Sequence, residues 1–211
     1  MSLKAKICGL STPEAVAAAV DGGASYIGFV FFANSPRNVA LESAARLAEP
    51  VRARTRIVAL TVDPTDDDLQ RITAKLKPDL IQLHGKETPE RTREISRLAG
   101  VIKVLPVSIA ADLDAANAYD GLVDHLMFDA KPPKDADRPG GHGSAFDWTI
   151  LAGRRFERPH FLAGGLDPWN VRLAVRQSGA PMVDVSSGVE RGPGLKDPGL
   201  ISAFLDAVRR V

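Results

Sequence analysis

The chain has 211 residues, with 27 Lys and Arg against 26 Asp and Glu, for a net charge of +1. That balance provides no field to steer nucleic acid or an anionic membrane surface toward it, so its partners must be read from particular sites. A single cysteine excludes an intrachain disulfide framework, and with no signal-peptide pattern and no apolar run of spanning length the chain is expected to be soluble and cytoplasmic.

Residues 4–8 form a short alternating run that ends on that cysteine, Cys8. Residues 12–22 then read as a helix, with Thr12 as cap, Pro13 at its first position and Gly22-Gly23 as the stop. The spacing continues with strand 26–31, helix 41–51, strand 56–62, helix 66–75, strand 80–83 and helix 89–98. Strand 101–107, helix 110–118, strand 125–128, a short helix at 148–151, strand 161–163, helix 168–177, strand 182–185 and helix 198–210 complete the pattern. Strands alternating with helices pair in parallel through right-handed crossovers, and eight such units close as a (β/α)8 TIM barrel, an α/β fold expected to occupy 1–211 as one domain. An open doubly wound sheet uses the same alternation, but no Gly-x-Gly-x-x-Gly follows the first strand. A barrel this short leaves room for minimal loops, so the Pro-, Gly- and Lys-rich segment 130–145 after the sixth strand is expected to be an active-site lid.

Barrels carry their chemistry at the carboxyl ends of the strands. In this chain those positions hold Cys8, Ser35-Pro36-Arg37, Asp63, His84-Gly85, Asp129, Gly164-Gly165 and Ser186-Ser187-Gly188. Glycines after strand seven and a Ser-Ser-Gly turn after strand eight expose backbone N–H groups where barrels commonly hold phosphate, although Gly-Gly is also an ordinary strand-to-helix turn. One thiol and one carboxyl, with no cofactor motif, suit proton transfer on a sugar phosphate. The four histidines, His84, His125, His142 and His160, show no paired ligand spacing, and no metal is expected. No Gly-x-Ser-x-Gly elbow accompanies Ser186-Ser187.

Lys6-Ile7-Cys8-Gly9-Leu10, Ser35-Pro36-Arg37, Gln82-Leu83-His84-Gly85 with Glu87, Phe128-Asp129, Gly140-Gly141-x-Gly143-x-x-Phe146-Asp147-Trp148, Leu162-Ala163-Gly164-Gly165-Leu166 and Val183-Asp184-Val185-Ser186-Ser187-Gly188-Val189-Glu190 together resemble the phosphoribosylanthranilate isomerases of tryptophan biosynthesis. The resemblance implies a cofactor-independent Amadori rearrangement of N-(5-phosphoribosyl)anthranilate into 1-(2-carboxyphenylamino)-1-deoxyribulose 5-phosphate, with a small sugar phosphate as partner and a monomer or homodimer as the working form. By motif match it makes Asp129 the general acid and Cys8 the general base. Arg37, His84 and Asp184 fall at substrate-binding positions, and Gly164, Gly165, Ser186, Ser187 and Gly188 at the phosphate. Asp and Cys free in water ionise near pH 3.9 and 8.5, so each role requires a shifted pKa, with cationic neighbours expected to favour the Cys8 thiolate. Lys6 shares the parity of Cys8 and is expected in an ion pair with an interior carboxylate, and His84 reads equally well as a barrel-filling polar residue.

Two departures from the family pattern are Asp63, where asparagine is expected, and the lengthened stretch Lys131-Pro132-Pro133-Lys134-Asp135-Ala136-Asp137-Arg138. The alternatives are a Schiff-base aldolase using Lys103 or Lys131, a non-catalytic sugar-phosphate binder, and a broader isomerase that also takes the two-phosphate aminoaldose of histidine synthesis. The last needs a second anion site, and no second glycine-rich phosphate turn is present in the sequence.

Overall fold

In the computed structural model, which describes residues 3–132, 138–141 and 143–211, eight parallel strands close on themselves in chain order. They are β1 (Lys4–Cys8), β2 (Tyr26–Phe31), β3 (Arg56–Thr61), β4 (Leu80–Leu83), β5 (Gly100–Val107), β6 (His125–Ala130), β7 (His160–Leu162) and β8 (Met182–Val185). Closure comes from β1 lying beside β8, with Lys6 opposite Asp184 and Ile7 opposite Val185. Strand alternation then sorts the side chains. Tyr26, Val58, Leu80, Ile102, Met127, Phe161 and Met182 fill the barrel interior. The opposite parity, with Ile7, Ile27, Ile57, Ile81, Val101 and Val183 among its members, packs outward against the helices.

The helices are α1 (Pro13–Asp21), α2 (Leu41–Ala48), α3 (Asp66–Lys75), α4 (Pro89–Ile95), α5 (Val171–Ser178) and α6 (Pro198–Arg209). Their starts follow local chemistry: the Thr12 and Thr88 hydroxyls accept from Ala15 N and Arg91 N, and Thr65 forms a capping box with Asp68. Several expected helices differ: residues 49–51 at the end of the expected helix 41–51 form a 3-10 turn, and α4 ends at Ile95 rather than at 98. Residues 110–118 and 148–151 are 3-10 turns, and α5 starts three residues after Pro168. In the first, Leu113 and Ala116 are the buried residues, and a three-residue spacing aligns on a 3-10 face. Before α5, Asp167 Oδ1 accepts from Trp169 N and Asn170 N, forming a turn that delays the helix. An antiparallel hairpin not expected from the sequence, β9 (Glu190–Gly192) with β10 (Leu195–Lys196), stands between β8 and α6. No helix among the described residues is long and apolar enough to cross a membrane.

Candidate functional site

Inward parity brings Cys8, His84, Asp129, Asp184 and Ser186 to one mouth at the carboxyl ends of the strands, where they line a single cavity with Arg37. One wall is apolar: Val30 and Leu60 pack on Cys8, backed by Phe32 and Val62. A second lobe, lined by Gly164, Gly165 and Ser187, shares Asp129, Asp184, Gly141 and Ser186 with the first. Together they form a cleft with a thiol and an apolar wall at one end and a glycine-rich turn at the other.

Cys8 is buried beside Lys6, whose side chain is fully buried and whose Nζ donates to Asp184 Oδ1 at 2.9 Å. Gly28 faces both across the register, and a Cβ there would stand 3.0 Å from Cys8 Sγ and 3.1 Å from Lys6 Nζ. Glycine at this position leaves the thiol and ammonium their shared space. Burial works against the Lys6 charge, yet Asp184 and Cys8 outweigh it and hold its pKa above the ordinary lysine range. For Cys8 burial wins: it pushes the thiol up although Lys6, and more weakly Lys196, pull it down. The expected cation is therefore present, but the resting sulfur is a thiol rather than a thiolate.

Asp129 Oδ1 accepts from Ala130 N at 2.8 Å, and its Oδ2 lies 3.3 Å from His84 Nε2, close but without the alignment of a hydrogen bond. Gln82 Nε2, 3.3 Å from His84 Nδ1, can only donate, so a neutral His84 carries its hydrogen on Nε2, toward Asp129. Gly140 packs over this pair: a Cβ there would stand 2.7 Å from His84 Nε2 and 3.0 Å from Asp129 Oδ2. Of the expected lid, residues 138–141 line the cavity. Pro133, Lys134, Asp135, Ala136, Asp137 and His142 lie outside the described residues.

Arg37 is buried and already paired. Its Nε and Nη2 donate to Glu190 Oε1 and Oε2 at 2.7 and 2.9 Å, and Nη2 also donates to the Gly141 carbonyl at 3.4 Å, so a ligand on the end edge of the guanidinium would take Nη1 and share Nη2 with that carbonyl. Burial opposes the Glu190 charge, but Arg37 and Lys196 hold its carboxyl below the usual carboxylate range. Lys196 donates to Glu190 Oε1 and to the Ser186 carbonyl, both at 2.7 Å, and its pKa is pushed down to about 8 by burial despite Glu190. Sequence reasoning missed Lys196, which no motif marked, and read Glu190 only as the end of a motif.

At the glycine-rich end, Gly164 and Gly165 have φ of +85° and +64°. A Cβ on Gly165 would stand 2.9 Å from the Ser144 carbonyl oxygen, and one on Gly188 would collide with the Leu166 carbonyl. Glycine at 188 lets the turn after β8 meet the turn after β7, and glycine at 165 lets residues 144–145 close on that turn, which keeps these backbone N–H groups close to the cleft. Ser187 opens a short 3-10 turn there, whereas the Ser186 hydroxyl is turned to the Cys8 carbonyl at 3.2 Å.

Asp63 and Lys103 belong to a separate network. Asp63, at φ +45°, accepts from Lys86 N with Oδ1, and its own N–H donates to Glu87 Oε1 at 2.9 Å. Lys103 lies between the inward Ile102 and Val104, so it points out of the barrel, where Nζ pairs with Glu87 Oε2 at 2.7 Å. It cannot form a Schiff base in the cleft. Lys131 lines the glycine-rich lobe, with Nζ 3.8 Å from Asp112 Oδ1. Among the described residues no group of three or more His, Cys, Asp or Glu side chains could hold a metal ion.

The family model for N-(5′-phosphoribosyl)anthranilate isomerase matches residues 5–207. A Caulobacter vibrioides protein named N-(5′-phosphoribosyl)anthranilate isomerase is 66% identical over 209 residues, covering 98% of this chain and 95% of that protein. The solved phosphoribosylanthranilate isomerase of Thermotoga maritima is 34% identical, with a TM-score of 0.90 over 99% of this chain and 100% of that one. A structure of such an isomerase in complex with reduced 1-(o-carboxyphenylamino)-1-deoxyribulose 5-phosphate is 31% identical, with a TM-score of 0.86 and the same coverage of both chains.

Proposed function

The chain belongs to the N-(5′-phosphoribosyl)anthranilate isomerase family, and from that premise we propose that it isomerises N-(5′-phosphoribosyl)anthranilate to 1-(2-carboxyphenylamino)-1-deoxyribulose 5-phosphate in tryptophan biosynthesis, in the cytoplasm and without a cofactor. The observation that carries this reading is the two-lobed cleft, whose ends match the two ends of that substrate, with Asp129 where the lobes meet and Cys8 in the lobe with the apolar wall. The aromatic ring lies on the wall of Val30, Leu60 and Phe32, with its carboxylate on the end edge of Arg37. The phosphate rests on the turns of Gly164, Gly165, Ser186, Ser187 and Gly188, anchoring the sugar while its other end reacts.

Asp129 gives its proton to the ring oxygen, the C1′–O bond breaks and the anilino nitrogen lone pair forms a C1′=N iminium. His84, with its hydrogen on Nε2 beside Asp129, orients the acid and the freed hydroxyl. Cys8 then takes the C2′ proton, and the electron pair left on C2′ forms the enolamine. Tautomerisation leaves a ketone at C2′ and a reduced C1′, so no electrons enter or leave. Lys6 stabilises the Cys8 thiolate the base requires, and Asp184 holds Lys6 in place.

The test is fluorescence turnover of freshly generated phosphoribosylanthranilate by the wild-type chain, Cys8→Ser and Asp129→Asn. Turnover by the wild type, with kcat lowered roughly 10²–10⁴-fold in each variant, is expected of general acid–base groups. A folded but inactive wild type overturns the activity. A variant within a few-fold of wild type removes that residue from its role.

A further inference from the structure

The β9–β10 hairpin is an addition to the eight-unit barrel, and its buried side chains reach toward both ends of the cleft. Lys196 Nζ makes three short contacts: Glu190 Oε1 at 2.7 Å, the Ser186 carbonyl at 2.7 Å and the Ser186 hydroxyl at 3.1 Å. Glu190 in turn takes the side edge of Arg37 through both its oxygens, and its Oε2 also accepts from Gly194 N at 3.2 Å. Gly194 has φ +77°, and a Cβ on it would collide with the Pro36 carbonyl, so the hairpin tip lies against the loop that carries Arg37. All three charged side chains are at least nine-tenths buried, so solvent screens the contacts little. Two cations around one carboxylate, with every Lys196 hydrogen used, form a rigid unit rather than a surface ion pair.

We propose that this hairpin is a clamp in which Lys196, acting through Glu190 on one side and Ser186 on the other, holds the end edge of Arg37 in register with the phosphate turn. The clamp rests on the reading that Arg37 and the turn after β8 bind the two anionic ends of the substrate. Lys196 and Glu190 are positioning residues, since neither reaches the reacting carbons except through Arg37 or Ser186. A fixed spacing between the two anion sites sets where C1′ and C2′ fall relative to Asp129 and Cys8.

The test is binding of two truncated forms of the reduced product analogue, one lacking the phosphate and one lacking the carboxylate, to the wild-type chain and three variants. Lys196→Met is expected to weaken both analogues, roughly ten- to a hundredfold each, because one side chain serves both ends. Lys196→Arg, which keeps the charge and several donors, restores most of that binding. Glu190→Gln is expected to weaken only the carboxylate-bearing analogue by a similar factor. Equal binding of both analogues by wild type and Lys196→Met overturns the clamp, as does a loss confined to one end in that variant or a lowered melting temperature with unchanged binding. Where Lys196→Met does not fold, Glu190→Gln decides: unchanged binding of the carboxylate-bearing analogue overturns the proposal. A wild type that binds the analogues and turns over no substrate removes the isomerase reading and leaves the clamp standing, while normal turnover with Lys196→Met binding as wild type removes the clamp alone.

Discussion

Cys8 is held between opposing influences. Burial keeps the proton on sulfur, and Lys6 favours its departure, with burial the larger effect at rest. In its proposed role as base, Cys8 is expected to make kcat/KM rise with pH as the thiolate forms. Replacing Lys6 with Gln removes the nearest cation and raises the Cys8 pKa further. The rising limb of the pH profile is therefore expected to move by about one pH unit or more to the alkaline side, the effect of losing one close opposite charge. An unmoved limb in the folded variant would show that Lys6 does not act on the thiol. The same change strands Asp184 and is expected to lower stability by about 3–5 kcal/mol in a denaturant titration. The chemical types of Cys8, Asp129 and Arg37 were legible in the sequence. Their partners were not, because Lys6 and Asp184 are 178 residues apart, and Arg37 and Glu190 are 153 apart.

Among the elements, strands and capped helices were the readable part. Thr12-Pro13 and Thr65 with Asp68 place helix starts through contacts within a few residues, which a local reading can see. The hairpin was not readable, since β9 and β10 have three and two residues and no period to detect. Glycines show a similar division. Gly165 and Gly179 both have positive φ, at +64° and +69°, but a Cβ on Gly165 would press on the Ser144 backbone while nothing lies within 4 Å of one on Gly179. Gly179→Ala is expected to cost about 1 kcal/mol of stability, the strain of a left-handed alanine, with KM unchanged. Gly165→Ala adds a backbone collision at the turn proposed to hold the phosphate and is expected to raise KM roughly tenfold or more, with a smaller effect on kcat. Steady-state kinetics beside thermal melts separate the two, and equal KM values would remove Gly165 from the phosphate site.

Over the whole barrel, the packing of the outer face sets an acid limit. His160 is nine-tenths buried on β7 and packed edge-on against Phe128 and Phe156, and burial pushes its pKa down to about 4. The folded state therefore resists protonation at His160, whereas the unfolded chain takes up the proton near pH 6.5. Stability from this group is complete above about pH 6.5 and is lost as pH falls toward about 4, amounting to at most about 3 kcal/mol. His160→Phe is expected to flatten the fall in melting temperature between pH 7 and pH 4, and an unchanged slope would assign the acid sensitivity elsewhere.

The sequence by itself determined the eight alternating units, the closure they imply and the loops in which the chemistry-bearing residues fall. Periodicity and capping are local properties, and in a barrel a residue's place along its strand decides whether it reaches the mouth. Only the tertiary structure decided which charges meet. Closure laid β1 against β8 and so made Lys6 the partner of Asp184. The fold set the outward-facing Lys103 beside Glu87, and the hairpin after β8 brought Glu190 and Lys196 to Arg37. The side chains that set the ionisation and position of the site come from segments far apart in the chain, and no local pattern records which distant strand or loop will lie alongside.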